Sequence, residues 1–515
     1  MRCIDKFITD ELKEKEIGEV QVEDFDFKKF ALKNERLKAM SKQLLGMRCE
    51  LFLKFTKQFI RASPSVDLAG KAKPGSLTHH FLRNKALALG SAKAKILEEK
   101  LSDLGGGGYL NANINRNKAS VFATEGKVDH EGTQTIFGQF MQQCKARDAS
   151  YAMFRQQGVE SRCWSVNFVG EASADAGGPF RDSLDNVTKE LESETLPLLI
   201  KTANNRNDHG GNRDCYMLNP SSRSPTHLEM FKFFGAFLSF AMMTTAPYPI
   251  HLAPGLWKQL LGDELEMSDL EGFDAYSSQV LVDLRDHSSK LSDEEFKNEV
   301  KLTFKTILSN GEEVNLKPGE EIETVTKENL TEYIDLVLKT RFNESKEQLA
   351  AMREGIKLVF TPELLPVLSI MDWEQVESRA CGQKTIEIDK LKSITRYSGA
   401  TEDSAIIKRF WRVLTSFDDD QRQMYLKFVW GRSRLPIDVK QMGQRHSVDV
   451  CRHMDKTGFP QAHTCFFSID LPDYPNDKVM RDKFLTAITM CGEIDTDGTA
   501  MTDFNGDRIR GGNRW

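Results

Sequence analysis

The sequence predicts a predominantly helical chain with a minority of strands, divided into more than one domain. Three observations predict it. The 515 residues can form two to four domains, each able to bury a core. Apolar residues recur at spacings of three and four over long stretches. Strand signals are few and local: an alternating pattern around Asn310-Gly311 and the apolar run after Cys465.

Leu37, Met40, Leu44, Met47, Leu51, Phe55 and Phe59 form the stripe of one long amphipathic helix with basic residues between. Leu44, Leu51 and Phe55 are expected to pack it inward, leaving its lysines in solvent. More helical pattern runs over 76–101 until LGGGGYL (104–110) breaks it. No Lys-Ser/Thr follows those glycines, so they read as a linker and not as a phosphate loop. TQTIFGQFMQQCK (133–145) predicts a helix and WSVNFV (164–169) a strand. Gly177, Gly178 and Pro179 then turn the chain into the next helix, proline suiting the first helical position.

The longest apolar run, FFGAFLSFAMM (233–243), is about half of the ~20 residues a membrane span needs and reads as a buried helix. Tyr276, Val280, Leu281 and Leu284 share one face of a helix. The hairpin at Asn310-Gly311 follows, and then a helix with Thr326 as N-cap and Asn329 at its third position. TRYSGATEDS (395–404) is short, polar and glycine-containing, as a connector between packed units should be. Beyond it, Asp418 to Asp420 sit where a helix N-terminus favours negative charge, and Gly431 and Pro436 end that helix. A last helix, NDKVMRDKFLTAITM, is capped by Asn476 or Asp477.

Apolar residues at 40% and charged residues at 28% are those of a water-soluble globular chain. The opening MRCIDKFITDELKEKE lacks the apolar core of a signal peptide. Nine cysteines with no CxxC fit reduced thiols in the cytoplasm or nucleus. The net charge of −6 is unevenly spread. Residues 31–100 hold 15 lysines and arginines against 5 acidic residues, and residues 262–323 hold 6 against 17. Each is either a solvated face or a docking surface for a partner of opposite charge.

FPQAHTCFFSIDLPDY (459–474) carries the sharpest chemistry, a thiol at the mouth of a strand with His463 two residues before it. Cys465 could be a core residue, a metal ligand, half of a disulfide or a nucleophile. Cys451, His453, His463 and Cys465 lie close together, but each pair has one residue between, whereas zinc sites usually need two to four. A core role fits poorly with polar neighbours and with Leu471-Pro472 ending the strand. No local protease signature is present.

AHTCFFSIDLPDY resembles the active-site stretch of HECT-type ubiquitin ligases. FVGEASADAGGPFRDSL, GIKLVF with ESRACG, and FWRVLTSFDDDQRQMYLKFVWGRSRLP occur in that family's order. The similarity covers roughly residues 118–497, and HTCFFS with the basic helical preface resembles the large HERC-type ligases. The resemblance implies a bilobal α+β fold. A helical extension (1–117) would precede a mostly helical N-terminal lobe (118–398) with a small inserted subdomain (262–323). A hinge (399–403, pivoting at Gly399) would lead to a smaller α/β lobe (404–515). It implies a transferase that takes ubiquitin from a conjugating enzyme as a thioester on Cys465, with His463 and Thr464 shaping the loop, and passes it to a substrate lysine. Val280, Leu281, Leu284, Tyr333 and Val337 would form the docking groove for the conjugating enzyme. No cofactor, metal, membrane span or nucleic acid is implied. The alternative is a HECT-shaped scaffold that binds conjugating enzyme or ubiquitin without transfer. Two departures stand out. Phe467 occupies a position where the family often has asparagine, and the chain runs past the last helix, where Phe504 alone could take the role of the family's C-terminal phenylalanine.

Overall fold

A computed structural model describes residues 2–12, 22, 25–28, 40–68, 73–102, 104–156, 161–171, 178–244, 248, 250–319, 323–437, 439, 442 and 444–490. Leu37, Gly177, Cys491 and Phe504 lie outside them. The chain divides into two compact units, the first ending at Gly382 and the second beginning at Gln383.

In the first unit, helix α1 (Arg2–Leu12) buries Ile4, Phe7, Ile8 and Leu12 against α2 (Lys42–Ala62) and the start of α3 (Gly90–Ser102). The face of α2 turned inward carries Leu45, Cys49, Phe52, Leu53, Thr56 and Phe59. Leu44 and Leu51, expected inside, are exposed, and Phe55 is half-buried. Two apolar lines run along this helix about 140° apart, and the neighbours α1 and α3 decide which is covered.

Described residues before 117 share the core of the first unit. Phe59, Phe81, Ala88, Ile96, Leu97 and Leu101 belong to the large core of the first unit. The Lys93 ammonium, wholly buried, meets Asp372 at 2.5 Å. Lys85 donates to Ser369 O and Met371 O, both at 3.1 Å. Burying a lysine is tolerable only when a carboxylate and carbonyl oxygens replace its water.

Strands β1 (Leu110–Ile114) and β2 (Trp164–Phe168) pair in parallel and lie near α4 (Ile136–Arg147) and α5 (Gly178–Leu191). The 233–243 run forms the buried body of α6 (Pro225–Thr244). Helix α6 crosses α9 (Lys346–Leu368) at very close range. A Cβ on Gly355 would sit on the carbonyl oxygen of Lys232, and one on Gly235 on that of Met352. The next helix, α10 (Trp373–Cys381), ends at Gly382.

Within this unit a satellite core gathers Leu270, Phe273, Leu281, Phe296, Phe304, Leu330, Tyr333 and Val337. It is wider than the expected 262–323 insert, because Cys215, Ala253 and helix α8 (Leu330–Asn343) contribute to it. Helix α7 (Ala275–His287) is capped by Asp274. The predicted hairpin is present as β5 (Lys305–Ile307) and β6 (Glu313–Asn315), with Gly311 at φ +88°. Its two-strand predecessor, β3 (Leu199–Lys201) with β4 (Tyr216–Leu218), is likewise antiparallel. Buried Arg341 joins the parts, donating to Asp274 at 2.9 Å and lying 3.6 Å from Glu344, whose carboxylate accepts from Ser309.

The second unit is a four-stranded sheet covered by helices. Strand β7 (Thr395–Ser398) pairs in parallel with β8 (His446–Cys451), which pairs in parallel with β10 (Ser468–Pro472); β9 (Gln461–His463) closes the far edge antiparallel to β10. Helices α11 (Ala405–Thr415), α12 (Asp419–Trp430) and α13 (Asp477–Met490) supply Phe410, Tyr425, Leu426 and Phe484 to a core shared with Val448, Ile469 and Leu471. Asp418 caps α12 in a capping box and Gly431 ends it at φ +77°.

The expected hinge residues fall within this unit. Tyr397 and Ser398 are strand residues of the second unit, and a Cβ on Gly399 would strike the carbonyl oxygen of Val450. Gly399, at φ +71°, is thus a packed turn inside the unit, and the boundary lies at Gly382–Gln383.

Candidate active site

The stretch around Cys465 begins as strand β9, forms a single 3-10 turn over Thr464–Phe466, and returns as β10. The reversal is fixed at Phe467, whose backbone is left-handed at φ 52°, ψ 48°. A residue with a Cβ resists that conformation, at a cost of about 1–2 kcal/mol. Burial of the ring offsets it. Phe467 is fully buried, stacks on Trp430 with centroids 4.6 Å apart, and lies 5.0 Å from His446. The Phe467 carbonyl accepts from Ser447 N at 3.0 Å, tying the turn to β8.

Around the cysteine the exposed side chains are His463, Thr464 and Phe466, the last 75% exposed. His463 Nε2 lies 3.2 Å from Asp470 Oδ2, across the β9–β10 ladder. Asp470 is in register with Asp449 of β8, so two carboxylates stand on one face of the sheet. They also act on Cys451. Burial first, then Asp470 and Asp449, push its thiol above the usual range. The six cysteines whose side chains are described, at 49, 144, 163, 215, 381 and 451, are buried or half-buried. Burial pushes Cys49 up to about 11, and Cys144 and Cys163 well above the usual thiol value.

Behind the turn, His446 is enclosed. Thr395 Oγ1 donates to Leu391 O at 2.6 Å and so accepts from His446 Nδ1 at 2.9 Å; Tyr425 OH then donates to Nε2 at 2.8 Å. This tautomer, inferred from the network, is neutral. Burial lowers the His446 pKa to about 3. Sequence reading missed both His446 and the anchoring role of Phe467. Alternating burial along HSVDVC marks His446 as inward, but its partners come from strand β7 and helix α12, distant in the chain.

The five expected docking residues differ in exposure. Leu281, Tyr333 and Val337 are 4%, 7% and 4% exposed and belong to the satellite core. Val280 and Leu284 are half-buried, and Tyr276, one turn before Val280, is 71% exposed. The outward line is therefore 276, 280, 284. Among the described residues no group of three or more His, Cys, Asp or Glu side chains is placed to hold a metal, and no helix is long and apolar enough to cross a membrane.

The HECT-domain (ubiquitin-transferase) family matches residues 186–496, which include the Cys465 turn. The chain is 34% identical to mouse E3 ubiquitin-protein ligase HERC2 over 387 residues, 74% of this chain and 8% of that protein. It is 33% identical to mouse HUWE1 over 345 residues, 65% of this chain and 8% of the relative. It is 30% identical to RSP5 of Chaetomium thermophilum over 63% of this chain and 38% of the relative. The chain thus spans under a tenth of the length of HERC2 and HUWE1. With the family match covering more than half of its residues, the chain belongs to the HECT-domain family of ubiquitin transferases.

Proposed function

We propose that the chain is the transferase module of a ubiquitin ligase, with Cys465 as the acceptor thiol. The observation that carries this reading is the backbone turn over Thr464–Phe466. It sets Cys465 between exposed neighbours at the end of a sheet, inside the region the family matches. A thiol that meets two successive macromolecules needs such an exposed turn. The Cys465 thiolate attacks the carbonyl carbon of the ubiquitin thioester, and the conjugating enzyme's cysteine leaves as thiolate. A neutral lysine amine of the substrate then attacks the new thioester, loses its proton to solvent or a nearby base, and expels Cys465 as thiolate. The outward line Tyr276, Val280 and Leu284, amid the acidic 262–323 stretch, is where we put the conjugating enzyme. The two successive reactions require a pivot, which we assign to Gly382, at φ 83°, ψ 174°, a region essentially restricted to glycine.

The test is incubation with charged conjugating enzyme, resolved with and without reductant. Wild type should gain a ubiquitin-sized, reductant-sensitive shift. Cys465→Ala should lose it, and Cys465→Ser should form an ester that survives reductant but not hydroxide. Cys451→Ala should keep the shift. Persistence of the adduct in Cys465→Ala would move the nucleophile elsewhere. A wild type that binds charged conjugating enzyme but never shifts would make the chain a scaffold.

A further inference from the structure

Helix α2 has a second apolar face that the described residues leave exposed. Leu44, Met47 and Leu51 are 43%, 54% and 66% exposed, three and four residues apart on the side away from the core. We propose that this face docks an acidic amphipathic helix of another protein.

The shape of the face selects a helix. Two apolar residues per seven, with no aromatic among the three, make the narrow seam of helix pairing; a helix lying on lipid needs a wider apolar band, often with Trp or Phe. The flanking charge selects the sign. Arg48 borders the seam on one side and Lys54 on the other, and the helix as a whole carries Lys42, Arg48, Lys54, Lys57 and Arg61 against Glu50 alone, which pairs with Lys54 at 2.6 Å. Two copies of α2 pairing through this seam would set like charges beside one another, so self-association is disfavoured. The positions flanking a paired seam choose the partner, and here they choose Glu and Asp. Opposed charge also extends beyond the helix, since residues 31–100 hold 15 basic against 5 acidic residues. A seam of three side chains is small, so the complex should be weak and transient.

The probe is a labelled synthetic helical peptide with leucines at alternating three- and four-residue spacing flanked by glutamate, titrated against the full chain by fluorescence anisotropy. A peptide with the same leucines flanked by lysine is the control. The glutamate peptide should bind about tenfold or more tighter than the lysine peptide, and raising the salt should weaken it. Met47→Gln with Leu51→Gln should weaken binding about tenfold without moving the thermal midpoint, because both residues are exposed. Arg48→Glu with Lys54→Glu should reverse the preference and bind the lysine peptide better, which keeps the proposal testable if the first variant misfolds. Equal binding of the two peptides, or no effect of either double variant, overturns the proposal. So does a concentration-dependent dimer seen by light scattering and abolished by the Met47/Leu51 variant, which would make a second copy the occupant. Binding to phosphatidylserine vesicles that depends on Met47 and Leu51, without peptide binding, would make it a membrane.

Discussion

Replacing Phe467 by alanine and by glycine separates two contributions that the native turn superposes. Alanine removes a fully buried ring that stacks on Trp430, a change that typically costs about 3–5 kcal/mol. It leaves the left-handed strain in place, since alanine still has a Cβ. Glycine removes the same ring and releases the strain. In ordinary backbone, glycine is less stable than alanine by roughly 0.5–1 kcal/mol. At φ 52° the order should invert, with Phe467→Gly more stable than Phe467→Ala by about 1 kcal/mol. Native-state hydrogen exchange of peptides covering Ser468–Pro472 and His446–Cys451 in the full chain reads the opening of this unit directly. Both variants should speed exchange there and leave Pro225–Thr244, in the first unit, unchanged. Phe467→Ala exchanging as slowly as Phe467→Gly or slower would refute the strain. Loss of less than about 1 kcal/mol in either would refute the burial argument.

Neutral His446 predicts acid sensitivity of the second unit. An unfolded histidine takes up a proton near pH 6.5, whereas the folded one resists until about 3. The unfolded state therefore binds more protons below 6.5, and stability falls by about 1.4 kcal/mol per pH unit between those values. His446→Gln should be less stable at pH 7.5 yet show a flatter profile from pH 6.5 to 4.5 in denaturant titrations; an unchanged slope would remove His446 as the cause. Gly355→Ala should destabilise the first unit by about 1–3 kcal/mol, because the added methyl meets the Lys232 carbonyl and two helices must separate. A thermal midpoint within a degree of wild type would contradict that close approach. Arg341→Met strands the buried carboxylates of Asp274 and Glu344 and should cost about 3–5 kcal/mol, seen as faster exchange over Ala275–His287. Tyr276→Ala should slow ubiquitin acceptance without loss of stability, whereas Tyr333→Ala should lose stability; acceptance unchanged in Tyr276→Ala would move the docking line.

Several local signals in the sequence were reliable, although the expected Thr326 cap was not, since α8 begins at Leu330 with Asn329 at its N-cap. The Asp418 capping box, the Gly431 stop, the Asn310-Gly311 hairpin and the all-round apolar α6 form where the residues indicate. The family also was legible, because its motifs are contiguous. What failed depends on partners distant in the chain. Periodicity alone cannot rank the two apolar lines of α2, since α1 and α3 decide between them. Ser398 and Gly399 read as a connector because they are small and polar, but β8, about fifty residues later, recruits their segment into a sheet. Helical spacing put Leu281 beside Val280 and Leu284, yet neighbouring positions differ by 100°: Leu281 is buried in the satellite core, whereas Leu284 only packs against its edge. Phe467 looked like a departure from a family asparagine. The left-handed backbone supplies a physical reason for asparagine there, as the side chain that best tolerates it after glycine.

The strand order β7-β8-β10-β9 also has a consequence for biosynthesis. The second unit's sheet cannot be finished as it leaves the ribosome. Its first strand must wait for β8, and β8 has its other edge open until β10 is made at residues 468–472. Parallel pairings between distant segments close slowly, and an unpaired strand edge invites wrong partners meanwhile. The turn bearing Cys465 thus takes shape only when the strand after it docks. Nascent chains halted before β10 should carry the cysteine yet accept no ubiquitin.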